Sequence, residues 1–224
     1  MNLLMNVHTL QADWCYAAFR PYIRPQDRVA LLPLAFDSRK LPSAGSWLAR
    51  YGPPDGPYFQ GFTAAFGAYG IAPERLMLVN PFADSPETAR RKVEGADILF
   101  LPGGLPDRMM ERLQDLRLLD PIRRHRGLII GYSAGALIQL SLYHITPDDD
   151  YPAYGEYPGL HLVEGFGLEV HYRAEALQKE SILRFIARHK KPVYAVGDRG
   201  ALIVEGGNVT PLGEVEFFPC PQRT

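Results

Sequence analysis

The stretch DSPETARRKVEGADILFLPGG, residues 84–104, contains one complete helix-to-strand step and indicates how the chain folds. Ser85 can cap a helix that Pro86 opens, and Gly95 can end it. The apolar run Ile98–Leu101 follows without polar alternation, which is typical of a strand covered on both faces. Such a step is the repeating unit of α/β proteins.

The same alternation extends along most of the chain in both directions. The predicted strands are Leu3–Val7, Val29–Leu34, Arg75–Val79, Ile98–Leu101, Leu128–Tyr132 and Leu168–His171. The predicted helices are Asp13–Tyr22, Tyr58–Ala68, Pro86–Glu94, Pro106–Leu116, Ala134–Leu142 and Ala174–His189. This order predicts a three-layer, doubly wound α/β fold around a mostly parallel sheet.

The pattern changes after residue 191. Residues 193–218 alternate β-prone runs with the turn signals GDRG and GGN, which predicts antiparallel strands at the C-terminal edge of the sheet. Residues 41–59 and 145–160 are rich in Pro, Gly and aromatic residues and are predicted to be long loops. The 224 residues, 46% of them hydrophobic, are expected to form a single domain spanning 1–224.

The composition limits the partners that the protein is expected to have. A net charge of −1 argues against nucleic acid or a membrane surface as the main partner, so a small substrate is expected. The two cysteines, Cys15 and Cys220, are far apart and form no metal-binding or redox pair. With no signal peptide or membrane span evident, we expect a cytoplasmic protein without metal or cofactor. Monomer and homodimer are both compatible with the sequence.

A lone serine lies between two glycines in the stretch GLIIGYSAGALIQL, residues 127–140. Gly131 and Gly135 flank it in the Gly-x-Ser-x-Gly pattern of a nucleophile elbow, where a sharp strand-to-helix turn exposes the serine hydroxyl. The predicted strand before it and the predicted helix after it supply the context that this pattern requires. Ser133 is therefore the candidate nucleophile, and the alternative is a plain helix cap.

A serine hydroxyl needs a base and an acid that orients the base. His8, His125, His144 and His189 fit solvated or structural positions, which leaves His161 and His171. His171 is the candidate base because it ends a predicted strand, where parallel sheets collect their site residues.

The orienting acid is less determined. Asp198 gives the order Ser, His, acid, whereas one of Asp148, Asp149 and Asp150 would give the order Ser, acid, His of the α/β-hydrolases. Both orders stay open.

Backbone amides are the expected stabilisers of the oxyanion that forms when a serine attacks a carbonyl. Gly104 follows a buried strand and can expose its N–H toward the serine. Ala134 is the residue after the nucleophile and lies at the start of a helix. These two amides are the predicted oxyanion hole.

Four stretches, LPGG (101–104), GYSAGA (131–136), EVHY (169–172) and VGDRGALIVEG (196–206), occur in the order seen in one known family. The chain resembles the serine peptidases of the dipeptidase E type, or aspartyl dipeptidases, of peptidase family S51, which have a class I glutamine amidotransferase-like, flavodoxin-like fold. The resemblance implies Ser133, His171 and Asp198 as the catalytic residues, with Asp198 where the family often has glutamate. It also implies the Gly104 and Ala134 amides as oxyanion donors, and an aspartate within 148–150.

The sequence departs from this family at Leu105-Pro106, where Asn-Thr is common. An acidic substrate side chain would need an arginine, which Arg173, Arg108 or Arg199 could provide. The acidic run around Asp149 is expected to meet the substrate's ammonium group. The predicted function is thus a serine peptidase acting on short peptides. An esterase and a catalytically silent binding protein are the alternatives.

Overall fold

The computed structural model describes residues 1–7 and 9–221, and eight of its strands form a mostly parallel sheet. The strands are β1 (Asn2–Met5), β2 (Val29–Leu31), β3 (Leu76–Leu78), β4 (Ile98–Leu101), β5 (Leu128–Tyr132), β6 (Leu142–Ile145), β7 (Gly155–Pro158), β8 (Gly167–Glu169), β9 (Val193–Glu205) and β10 (Asn208–Phe218). The sheet order is β10-β9-β1-β5-β4-β2-β3, and β8 also pairs with β9. β6 and β7 form a separate hairpin.

The pairing directions confirm the predicted sheet. β1, β5, β4, β2 and β3 are mutually parallel. β9 runs antiparallel to β1, and β10 runs antiparallel to β9, so the C-terminal part forms the antiparallel edge. The turn between β9 and β10 contains Gly206 and Gly207, both with positive φ.

Helices cover both faces of the sheet. They are α1 (Asp13–Phe19), α2 (Ala44–Tyr51), α3 (Pro57–Gly67), α4 (Pro86–Glu94), α5 (Pro106–Asp115), α6 (Leu119–Arg123), α7 (Ala134–Leu137) and α8 (Ala176–His189). Alternate residues of each central strand enter two separate cores. Leu99 packs in the core that contains α4 and α5, whereas Phe100 packs in the core that contains α1, α2 and α3. The doubly wound α/β fold is therefore confirmed.

The helix predicted over Pro86–Glu94 has the predicted bounds. Ser85 Oγ accepts a hydrogen bond from the Thr88 N–H at 3.2 Å, Pro86 is the first helical residue, and Gly95 is the C-cap. None of the helices in residues 1–7 and 9–221 has the length and apolar content that crossing a membrane requires.

Several predicted segments differ from the structure. The predicted helix Ala134–Leu142 ends at Leu137, because the next residues hydrogen-bond to residues 160–163 instead of extending the helix. The predicted loops contain secondary structure: Ser43 and Ser46 form a capping box that starts α2, and β7 pairs with β6. The GDRG segment lies within the continuous strand β9 and forms no turn, since it pairs with β10 around a bulge at Gly213.

Candidate active site

Ser133 lies at the sharp corner between β5 and α7. Its backbone has φ 50° and ψ −117°, a combination that non-glycine residues rarely adopt. A Cβ on Gly135 would overlap the carbonyl of Leu101, and one on Gly131 would overlap the carbonyl of Gly135. The two glycines are therefore required because the corner packs directly on backbone. This geometry is that of a nucleophile elbow.

The imidazole of His171 lies next to the serine. Ser133 Oγ and His171 Nε2 are 2.8 Å apart, within hydrogen-bonding distance. His171 follows β8 and also has a positive φ of 54°. Two side chains hold its backbone: Asn6 Oδ1 accepts from its N–H at 2.6 Å, and Gln178 Nε2 donates to its carbonyl at 2.9 Å.

Two strand ends that point at each other bring these residues together. β8 and β1 pair with the same edge of β9, with Glu169 opposite Ala195 and Met5 opposite Ala201. Because β8 is parallel and β1 antiparallel to β9, their carboxyl ends converge on residues 196–200. Asp198 lies within that interval.

The carboxylate of Asp198 is connected to His171 through Asn6. Asp198 Oδ1 accepts from Asn6 Nδ2 at 2.8 Å, and Asn6 in turn holds the His171 N–H. Asn6 is completely buried. Across residues 1–7 and 9–221, no carboxylate hydrogen-bonds directly to the His171 ring. Asp198 therefore acts on the imidazole through its charge in this structure.

The surroundings of His171 keep its pKa below the ordinary value. Desolvation by neighbouring groups lowers the pKa most, although the residue is exposed toward the cleft, and the Arg173 cation lowers it further. The negative charge of Asp198 raises the pKa, and Glu169 and Asp148 add smaller effects in the same direction. The lowering prevails, which favours the neutral imidazole that can accept a proton.

Gly104 and Ala134 line the same cleft as Ser133 and His171. Gly104 has φ 135°, and a Cβ there would overlap the carbonyl of Ala35, so only glycine fits. Neither amide N–H donates to a main-chain acceptor in the described part of the chain. Both donors are available to an oxyanion.

Two cavities adjoin Ser133. The glutamate cleft, about 220 Å³, is lined by Glu169, His144, Thr146, Asp148, Glu175 and Gln178 among others. The tyrosine cleft, about 410 Å³, is lined by Phe36, Lys40, Arg50, Tyr51, Tyr58 and Tyr132 among others. Gly104, Ser133 and His171 border both, so a substrate extending through the site would occupy the two clefts.

A buried carboxylate forms one wall of the glutamate cleft. Glu169 Oε2 accepts from His144 Nε2 at 2.8 Å and from Thr146 Oγ1 at 2.9 Å, and Oε1 accepts from Gln178 Nε2 at 3.3 Å. Glu169 and His144 are 4% and 1% exposed. This network is fully paired at the carboxylate, as a buried charge requires.

Comparison with known proteins places this geometry in a family. The family model for peptidase family S51 matches residues 40–212, which include Ser133, His171 and Asp198. The chain belongs to peptidase family S51. The resemblance found in the sequence is thus confirmed, and membership supports a hydrolase that acts on peptides.

Solved structures show the same fold as this S51 chain. One, from Listeria monocytogenes EGD-e and provisionally assigned as a peptidase E, has 17% identity and a TM-score of 0.66, with 94% of this chain and 96% of that chain covered. Another, a peptidase from an acI-B1 Actinobacterium, has 14% identity and a TM-score of 0.65, with 98% and 91% covered. Comparison with the curated proteins gave no match.

The other predicted site residues of this S51 protein are dispersed. Asp148 lines the glutamate cleft and accepts from the N–H groups of Asp150 and Tyr151. Asp150 lines the tyrosine cleft, and its carboxylate lies 3.7 Å from Arg39. Asp149 lines neither cleft.

None of the three arginines considered for an acidic side chain lines either cleft. The backbone N–H of Arg173 donates to the Gln178 side chain, and that of Arg199 donates to the Glu214 side chain. The guanidinium of Arg108 pairs with Glu111. His8 lies outside the described residues. His144, expected to be solvated or structural, is buried.

Two residues of the site were missed in the sequence. Asn6 lies directly after β1, and its position as a polar residue at a strand end was an available signal. It also lies outside the segment that the S51 model matches. Gln178 lies on α8 and had no signal in the sequence, because its role depends on two contacts with β8 and the segment after it.

The remaining reactive groups lie apart from the site. Cys15 is buried in α1, and burial raises the pKa of its thiol to about 11, so it stays protonated at neutral pH. In the described part of the chain, no three His, Cys, Asp or Glu side chains are arranged to hold a metal ion.

Proposed function

We propose that this S51 protein is a serine peptidase that hydrolyses short peptides, with Ser133 as nucleophile and His171 as general base. The observation that supports this most directly is the 2.8 Å separation of Ser133 Oγ and His171 Nε2 at a strained elbow. A serine and a neutral imidazole at this distance can exchange a proton.

In the proposed cycle, Ser133 Oγ attacks the carbonyl carbon of the peptide bond while its proton moves to His171 Nε2. The resulting oxyanion accepts hydrogen bonds from the N–H groups of Gly104 and Ala134. His171 then gives the proton to the leaving amine as the C–N bond breaks. A water molecule then attacks the acyl carbon while His171 takes its proton, and the imidazolium gives that proton to Ser133 Oγ as the ester bond breaks and the N-terminal product leaves.

Asp198 is the proposed acid that stabilises the imidazolium. Among the charged groups around His171, Asp198 has the largest effect in raising the pKa of the imidazole, and Asp148 has a smaller one. Asn6 fixes the carboxylate of Asp198 and the backbone of His171 in one arrangement. These contacts favour the order Ser, His, acid over an acid from 148–150.

The size of the clefts supports short substrates. At about 220 Å³, the glutamate cleft is below the usual range for pockets that hold drug-sized ligands, so it has room for about one residue. Its carboxylates, and the lack of any arginine among the described residues that line it, argue against an acidic side chain there. We therefore do not extend the proposal to cleavage after aspartate.

A dipeptide library scored for release of the N-terminal residue tests this proposal. Wild type should hydrolyse a subset, and Ser133→Ala and His171→Gln should lower kcat/KM by at least about 10⁴-fold. Ser141→Ala and His161→Gln, which change residues outside both clefts, should retain activity. A fluorophosphonate probe should label wild type and spare Ser133→Ala.

Three results would contradict the proposal. Undiminished peptide hydrolysis by Ser133→Ala would place the nucleophile elsewhere. Hydrolysis of short acyl esters, with no hydrolysis of any dipeptide, would indicate an esterase. Absence of both labelling and hydrolysis would indicate a binding protein on this fold.

A further inference from the structure

The tyrosine cleft has aromatic walls that begin at the reacting serine. Phe36 and Tyr51 are buried beneath it, and Tyr58 is partly exposed. The rings of Tyr51 and Tyr58 stack with centroids 4.9 Å apart and planes at 24°. The exposed Tyr58 ring, supported by Tyr51, is suited to contact an apolar or aromatic side chain.

Two cations in this cleft lack an ion-pair partner within the described part of the chain. In residues 1–7 and 9–221, no carboxylate lies within 4.0 Å of the charged nitrogens of Lys40 or Arg50. The Arg50 guanidinium carbon lies 5.7 Å from the centre of the Tyr58 ring, at the cleft wall.

The two carboxylates of the same cleft share one cation, Arg39. Asp37 and Asp150 both lie near Arg39, at 2.9 Å and 3.7 Å. Hydrogen bonding to Arg39 is the main cause that lowers the pKa of Asp37, and Lys40 contributes a minor electrostatic effect. Together with Arg39, the cations Lys40 and Arg50 exceed the two carboxylates by one charge, so the tyrosine cleft presents a small net positive charge to a ligand.

The charge is opposite in the other cleft that adjoins Ser133. The glutamate cleft contains the carboxylates of Asp148, Glu169 and Glu175, and histidines are its only basic lining residues among those described. A short peptide with free ends has the matching polarity, with an ammonium group at one end and a carboxylate at the other.

We propose that the tyrosine cleft binds the C-terminal, leaving residue of a dipeptide, with its α-carboxylate at Lys40 and Arg50 and an aromatic side chain against Tyr51 and Tyr58. The N-terminal ammonium group then lies toward the glutamate cleft. This inference rests on the proposed peptidase function and narrows its substrates to dipeptides with a free carboxyl terminus and an aromatic second residue.

Binding of the leaving product tests the cleft without turnover. Ser133→Ala protein is titrated calorimetrically with phenylalanine, phenylalaninamide and alanine. Phenylalanine should bind at least about 10-fold more tightly than either of the others, because one lacks the carboxylate and the other lacks the ring. Adding Lys40→Met and Arg50→Met to the Ser133→Ala protein should remove its preference for phenylalanine over phenylalaninamide.

A matched control replaces a cation elsewhere. Arg91→Met on the same background changes an exposed residue of α4 outside both clefts and should keep the preference. Equal folding of all variants is checked by thermal unfolding, whose midpoint these exposed substitutions should leave unchanged.

Several outcomes would overturn the inference: equal binding of phenylalanine and its amide, no binding of either, or a preference that survives in Lys40→Met/Arg50→Met. Wild-type hydrolysis of Ala-Phe against Ala-Phe amide provides the second measurement. If no peptide is hydrolysed but carboxylate-dependent binding persists, the peptidase proposal fails and the assignment of the cleft stands. If peptides are hydrolysed without regard to the carboxylate, the assignment of the cleft fails alone.

Discussion

Ser133 and His171, whose side chains are within hydrogen-bonding distance, both have backbone conformations that L-residues seldom adopt. Ser133 has φ 50° and His171 has φ 54°. Conformations of this kind cost on the order of 1–3 kcal/mol each and persist only where the surroundings impose them. The N–H of Ser133 donates to the Met5 carbonyl at 3.0 Å, and Asn6 and Gln178 fix both sides of His171.

Asn6→Ala should lower kcat by about 10- to 100-fold with a small change in KM, because the base loses its position while the clefts remain. Rescue by Asn6→Asp is not expected, since its carboxylate cannot donate to Asp198. Asn2→Ala is the matched control: Asn2 lies at the other end of β1 and donates to Gln139. If Asn6→Ala and Asn2→Ala lost the same fraction of activity, and this loss followed their loss of stability, Asn6 would have only a structural role.

The pH dependence of kcat/KM should respond to the charges around His171 with predictable sign. In the proposed mechanism, activity requires a neutral His171 imidazole, so kcat/KM should fall as pH decreases through the pKa of His171. Arg173→Gln removes a cation that lowers this pKa, so the fall should move to higher pH. Asp198→Asn removes an anion that raises it, so the fall should move to lower pH, with a lower plateau. Arg91→Gln should shift nothing, and a shift of the same sign in both site variants would contradict this account.

At the scale of elements, the corner between β5 and α7 depends on direct backbone packing. Gly135→Ala should lower the free energy of unfolding by at least about 2 kcal/mol, because the added Cβ would overlap the Leu101 carbonyl. Gly61→Ala is the matched change in the interior of α3, where nothing lies within 4 Å of the added Cβ. It should raise that free energy by about 0.5–1 kcal/mol. Urea unfolding of both variants measures the difference, and similar values would show that the corner tolerates a side chain.

Elements whose signals are local were predicted well, and those that depend on distant partners were not. The capping serine, opening proline and closing glycine of α4 lie within eleven consecutive residues, and the predicted bounds agree with the structure. The segment after Leu137 looks helical by its apolar spacing. Its backbone instead bonds to residues 160–163, and no local pattern reports that competition.

At the scale of the whole molecule, the sheet separates two cores and the clefts open at the end where its strands finish. Phe100 is 1% exposed and packs edge-on against Phe62 and Phe66, with ring centroids 5.3 and 5.2 Å away. Phe100→Ala should cost about 3–5 kcal/mol of unfolding free energy. Phe217→Ala, at a position of β10 that is 50% exposed, should cost less than about 1 kcal/mol. Equal costs in thermal or urea unfolding would contradict the two-core description.

The sequence by itself determined the fold class, the candidate nucleophile and the glycines around it, because strand and helix periodicity and the backbone demands of a tight corner are encoded in neighbouring residues. Only the tertiary structure decided which groups lie next to Ser133. His171 lies 38 positions from Ser133, and Asn6 bonds to Asp198 across 192 positions. The two clefts of opposite charge likewise arise from separate segments that converge at the strand ends. Such contacts depend on the pairing of β1 and β8 with β9, which is a property of the assembled sheet and leaves no periodic signal along the chain.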